Sequence, residues 1–272
     1  MEGNVLLAFG LTLLAGLSTG IGGAMAFFTK KTNTKFLSIS LGFSAGVMIY
    51  ISFVEILSEA FRTLSIQMGS RKGNFTALAA FFGGMLLIAV IDKMVPEREN
   101  PHEAVSVEIY KKKKPKEIKD KKGKLLRTGL LTAFAVAIHN FPEGFAVFMS
   151  VMKDPALGIG IVIAISIHNI PEGIAVSVPV YYATGNRLKA FWYSFLSGLA
   201  EPMGALVAYL ILSRFMSDTL FGIVYAAIAG IMIFISFDQL LPAAREYGEH
   251  HLSIYGLFSG MAVMAISLIL FI

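Results

Sequence analysis

Eight apolar runs, each close to or above the length a helix needs to cross a bilayer, dominate this chain of 272 residues. They are approximately Asn4 to Phe28, Phe36 to Ser58, Phe75 to Ile91, Thr128 to Val151, Ala156 to Tyr182, Ala190 to Ser213, Thr219 to Leu241 and Leu252 to Ile272. A spanning helix needs about 20 residues, and hydrocarbon offers the backbone no hydrogen-bond partner, so helices are the expected spanning element. With 56% hydrophobic residues and a mean hydropathy of +0.70, the chain is expected to be an all-α integral membrane protein. A single transmembrane unit over residues 1–272 is expected. The first run is too long for a signal peptide and lacks a basic flank, so it is read as the first span. Cysteine is absent, which excludes disulfides and thiolate metal sites.

Charge sets the expected orientation. Of 23 Lys and Arg residues, 18 follow the odd-numbered spans and 5 follow the second, fourth and sixth. The positive-inside rule puts the first group in the cytoplasm and both termini outside. Most of the bias lies in 92–127, a basic loop containing Lys111-Lys112-Lys113-Lys114 and expected to be mobile. Topology and anionic lipid account for that charge; no aromatic interleaving supports a nucleic-acid partner.

Two copies of one phrase lie inside this apolar background: His139-Asn140-Phe141-Pro142-Glu143-Gly144 and His168-Asn169-Ile170-Pro171-Glu172-Gly173. Ionisable groups in a membrane interior are costly and usually mark an ion or substrate path. On a helix, with His139 at 0°, Asn140 falls near 100° and Glu143 near 40°, so the carboxylate stands between imidazole and amide. A carboxylate has two oxygens and can bridge two cations, so each phrase suits a binuclear site. His139 lies roughly 15 Å, and His168 roughly 18 Å, from the starts of their spans, near the middle of the bilayer. Glu201, in Ala200-Glu201-Pro202, sits at similar depth on the sixth span and is the natural further ligand. Pro142 and Pro171 deprive the Ile138 and Ile167 carbonyls of helical donors, so kinks are expected there.

A second internal match points the same way. Ile51-Ser52-Phe53-Val54-Glu55-Ile56-Leu57 near the end of the second span aligns without a gap with Ile235-Ser236-Phe237-Asp238-Gln239-Leu240-Leu241 near the end of the seventh. The two spans run in opposite directions, so Glu55 is expected near the outer surface and Asp238 near the inner one. Three spans precede and three follow the central pair, giving a 3+2+3 inverted repeat of the kind transporters use. Spacings such as Gly16 to Gly20 and Gly42 to Gly46 suit close helix packing.

Competing readings stay open for single residues. One His with one Glu on the next turn can be a hydrogen-bonded structural pair, but two copies plus Glu201 at one depth favour metal. Glu55 and Asp238 can equally snorkel to water. His102, His250 and His251 read as solvated, and the methionines as packing. Imidazole with carboxylate favours zinc, iron(II), manganese and cobalt over magnesium or calcium, with zinc leading.

These residues resemble the ZIP (Zrt- and Irt-like protein) family of metal-ion transporters, in its bacterial ZupT-like branch, over essentially the whole chain. The paired His-Asn-x-Pro-Glu-Gly phrases and the Ala-Glu-Pro phrase carry the resemblance. It implies an eight-helix bundle, commonly a homodimer, that takes divalent metal into the cytoplasm. It also implies a first metal site of His139, Glu143, His168 and Glu172, and a second of Asn140, Asn169 and Glu201 that shares Glu143 and Glu172. Asp238 is implied at the inner exit. The loop 92–127 is poor in histidine, unlike the His-rich loops of many relatives.

The expected function is import of Zn²⁺, with Fe²⁺, Mn²⁺, Co²⁺ and Cd²⁺ as further cargo, by a protein with no catalytic activity and no prosthetic cofactor. An intramembrane zinc-dependent hydrolase is the rival reading, since His and Glu at i and i+4 can hold zinc with an open water position. Against it, no His-Glu-x-x-His is present, nor an evident separate general base.

Overall fold

The computed structural model describes residues 2–25, 34–94, 133–134, 136–138, 140–215, 217–247 and 250–270, all in helices or the turns between them. His139, His102 and nearly all of the basic loop lie outside the described residues. The protein is an all-α membrane protein, and six of its described helical stretches are long and apolar enough to cross a bilayer.

The first span is α1, Glu2–Met25. The second is α2, Thr34–Ile51, which runs through a π-helical turn, Ser52–Ile56, into α3, Leu57–Met68. The expected loop after Ser58 therefore shrinks to one residue. Gly69, at φ 79°, reverses the chain directly into α4, Ser70–Met94. Residues 59–68 remain helical beyond the apolar run because they are amphipathic, burying Ala60, Thr63 and Leu64 while Arg62 and Gln67 face out.

Residues 140–153 form α5, and Asp154 alone separates it from α6, Pro155–Thr184. Asp154 Oδ1 caps α6 by accepting from Ala156 N at 3.0 Å, and Pro155 opens the helix where no amide donor is needed. The helix then runs unbroken through Pro171 for 30 residues.

The sixth apolar run, expected as one helix over Ala190 to Ser213, is instead two. Here α7, Arg187–Gly198, stops at Leu199 and α8, Ala200–Phe215, begins beside it. Pro202 is the physical reason: it has no N–H for the Gly198 carbonyl and its ring crowds that turn, but it fits the first turn of a new helix. The seventh apolar run becomes α9, Asp218–Ile235, a π turn, Ser236–Leu240, and α10, Leu241–Tyr247; α11, His250–Leu270, follows.

The two aligned phrases thus adopt the same local structure in the same register. In each, a five-residue π turn starts at the shared serine, and the Leu57 and Leu241 amides reach back to the Ser52 and Ser236 carbonyls. Such turns insert one residue into a helix and are frequent at functional sites.

Helix packing repeats this correspondence. Gly173 backs onto the Thr19 carbonyl and Gly22 onto that of Ile170, while Gly144 backs onto the Glu201 carbonyl and Gly204 onto that of Phe141. Gly144 and Gly173 close the two copies of the His-Asn-x-Pro-Glu-Gly phrase, and Phe141 and Ile170 are its matching residues. So α1 sits on α6 as α8 sits on α5. Gly16 and Gly198 back onto each other's carbonyls, a contact that is its own counterpart. Elsewhere α2 packs on α11 through Gly42, Gly46, Gly256 and Gly260, and α4 packs on α9 through Gly84 and Gly230. Lipid supplies no hydrophobic force between helices, so backbone contact allowed by small residues has to hold them.

Candidate metal centre

Glu143 of α5 and His168 and Glu172 of α6 are buried together, with ligand atoms all within 4.8 Å of one another. His168 Nε2 is 3.2 Å from Glu143 Oε1 and 3.9 Å from Glu172 Oε1. Glu172 stands on the same face as His168, one turn further on, and Glu143 reaches across because α5 and α6 are antiparallel neighbours joined at Asp154. The sequence placed these three at one depth, and the fold brings them to one point.

The two asparagines and Glu201 enclose this cluster. Asn169 Nδ2 donates to Ala15 O at 3.0 Å and to Glu201 Oε1, tying α6 to α1 and α8. Asn140 lies in the corresponding place on α5, its carboxamide 3.4 Å from Ser197 O. Turned end for end, its nitrogen donates instead to Glu172 Oε2 and Val136 O, both at 3.2 Å, which satisfies the amide better. Asn140, Asn169 and Glu201 are fully buried. Asn169 Oδ1 and Glu201 Oε2 have no hydrogen-bond donor among the described residues. Buried oxygens without a donor suit a cation, and three buried carboxylates at one place have to be neutralised, by a bound cation or by protons.

Oxygen and imidazole nitrogen without sulfur is a donor set for a divalent transition metal, zinc above all. His139, one turn before Glu143 in sequence, lies outside the described residues. Glu55 and Asp238 stand apart from the cluster. Glu55 is half-buried in the first π turn and Asp238 exposed in the second.

Sequence reasoning missed several supports. Ser44 of α2 donates to the His168 carbonyl at 2.8 Å, and Ser194 of α7 bridges the carbonyls of Thr19 and Gly173 at 2.9 and 3.0 Å. Serine in a small-residue run carries no polarity anomaly, and Ser44, about 200° around α2 from Gly42, lies on the side opposite the glycines whose spacing marked a packed face.

Residues 93–268 match the family model described as ZIP Zinc transporter. The chain belongs to the ZIP family. Among curated ZIP relatives, the protein named Zinc transporter ZupT of Lysinibacillus sphaericus is 61% identical over 272 residues, covering 100% of both chains. Its namesake in Nitratidesulfovibrio vulgaris is 59% identical, covering 100% of this chain and 99% of the relative. That of Streptococcus mutans is 57% identical over 100% of both.

Proposed function

We propose that this protein imports zinc across the bacterial cytoplasmic membrane, with both termini outside, through a binuclear site near the bilayer midplane. Support comes from ZIP membership, from relatives named as zinc transporters, and above all from the buried Glu143, His168 and Glu172 cluster enclosed by Asn140, Asn169 and Glu201. His139 joins Glu143, His168 and Glu172 as ligands of one ion. Asn140, Asn169 and Glu201 hold the second, with Glu143 and Glu172 bridging. Fe²⁺, Mn²⁺, Co²⁺ and Cd²⁺ are further cargo, since the same donor types accept them.

The bundle follows a 3+2+3 plan of eight spans and works as a homodimer. Ions enter past Glu55, bind at midplane, and leave past Asp238 after a rearrangement that opens the inner side. Binding has to be favourable enough to capture and weak enough to release. The resident polar groups do this by shape and charge, and protonation of a ligand aids release because metal needs deprotonated donors. No observation favours hydrolysis over transport.

The test is ⁶⁵Zn uptake into membrane vesicles. His139→Ala and Glu172→Ala are each expected to abolish it, and full uptake in both would overturn the site.

A further inference from the structure

A cluster of charged side chains stands outside the metal centre. At the end of the bundle where α3 ends and α9 begins, Lys153, the last residue of α5, reaches across to both. Its Nζ pairs with Glu59, donates to Thr63 Oγ1 at 3.2 Å, and sits 4.6 Å from the centre of the Phe221 ring. Glu59 is also engaged by Arg62, whose Nε donates to Oε2 at 2.6 Å and whose second nitrogen donates at 2.9 Å to Oε1, the oxygen Lys153 meets. The Lys153 charge therefore exceeds what Glu59 alone neutralises. Burial pushes the Lys153 ammonium below its ordinary value, against the pull of the Asp218 and Glu55 carboxylates.

The position matters because of what lies beneath. Ser150, one turn before Lys153, is hydrogen-bonded to the buried Tyr225, which stacks on Phe221 at 4.8 Å. Ser150 lies two turns from Glu143 on nearly the same face of α5, about 10 Å along the helix. Lys153 thus stands over the end of α5 that leads to the metal cluster, with Glu55 one turn below Glu59 on the neighbouring span.

We propose that Lys153 sets how readily ions are captured at entry: a tethered cation at the mouth of the ion path that competes with incoming divalent ions for the carboxylates there. This rests on the reading that zinc enters at the Glu55 end. A positive side chain held among Glu59, Glu55 and Asp218 lowers the negative potential that would otherwise concentrate cations at the mouth, which acts on capture rather than on the later steps. Methionine keeps the apolar contact with Phe221 while removing the charge.

The experiment is ⁶⁵Zn uptake by purified protein in liposomes at low and at physiological salt. Lys153→Met is expected to lower KM by about threefold to tenfold at low salt, the effect a unit charge several ångströms away exerts on a divalent ion through water. Vmax is expected to stay unchanged, and the gain to shrink at physiological salt. Lys153→Arg is expected to retain the parent KM, and Glu59→Gln, which turns the freed ammonium toward Glu55, to raise it. An unchanged or raised KM in Lys153→Met, or a change in Vmax alone, would overturn the proposal. Absence of uptake by the parent protein would instead overturn the transport reading, so the two failures are distinct.

Discussion

Three carboxylates, Glu143, Glu172 and Glu201, share one buried place in a protein that spans a membrane, and each is costly to ionise there without a cation. Removing one charge should therefore relieve the zinc-free protein while harming its zinc chemistry. Glu143→Gln is expected to raise the zinc-free melting temperature in detergent and to lower zinc uptake at least about tenfold, the loss typical when a metal site is depleted of a supporting group. A lowered melting temperature would indicate that Glu143 serves the fold through hydrogen bonds instead. The clustered residues were legible in the sequence because each ionisable one stands out against apolar neighbours. Ser44 was not, since a hydroxyl is common in small-residue helical faces and only its 2.8 Å bond to the His168 carbonyl reveals its place.

At the scale of the helix, Pro202 decides where Glu201 stands. It ends α7, starts α8, and leaves the Gly198 carbonyl to lie against Gly16. Pro202→Ala restores the missing amide and is expected to favour one continuous helix, cutting uptake severalfold while the protein still folds; uptake equal to that of the parent would refute this placement. Glycine contacts make a separate prediction. Gly46→Val places a branched side chain against the Leu257 carbonyl and is expected to cost about 1–3 kcal/mol or more and to reduce folded yield. Gly83→Val, with nothing nearby, is the matched control, and equal yields would contradict the packing described. Long apolar runs announced most of the helices. The Gly69 turn, the Leu199 break and both π turns depend on local hydrogen bonding that periodicity does not encode.

For the molecule as a whole, the short match between the phrases around Glu55 and Asp238 and the doubled His-Asn-x-Pro-Glu-Gly phrase were the sequence traces of a correspondence that the glycine–carbonyl contacts follow as well. The rest is carried by glycines and carbonyls, Gly22 on Ile170 and Gly204 on Phe141, and its sequence trace is slight: Gly16-Leu17 and Gly22 recur as Gly198-Leu199 and Gly204. The chemistry is not symmetric: Thr19 takes the place on α1 that Glu201 takes on α8, so only one side supplies a third carboxylate. A site built by α1, α5, α6, α7 and α8 together should couple zinc to the stability of the entire fold. Zinc is expected to raise the melting temperature of purified protein by mass action, increasing with concentration, and to lose that effect in Glu143→Gln. An equal rise in both proteins would place the stabilising zinc elsewhere.

The most direct measurement is zinc X-ray absorption on the purified, zinc-loaded protein. Coordination by Glu143, His168 and Glu172 predicts nitrogen and oxygen neighbours near 2.0–2.1 Å with imidazole scattering, and loss of bound zinc in a Glu143→Gln/Glu172→Gln variant. Zinc retained by that variant with an unchanged spectrum would contradict the account.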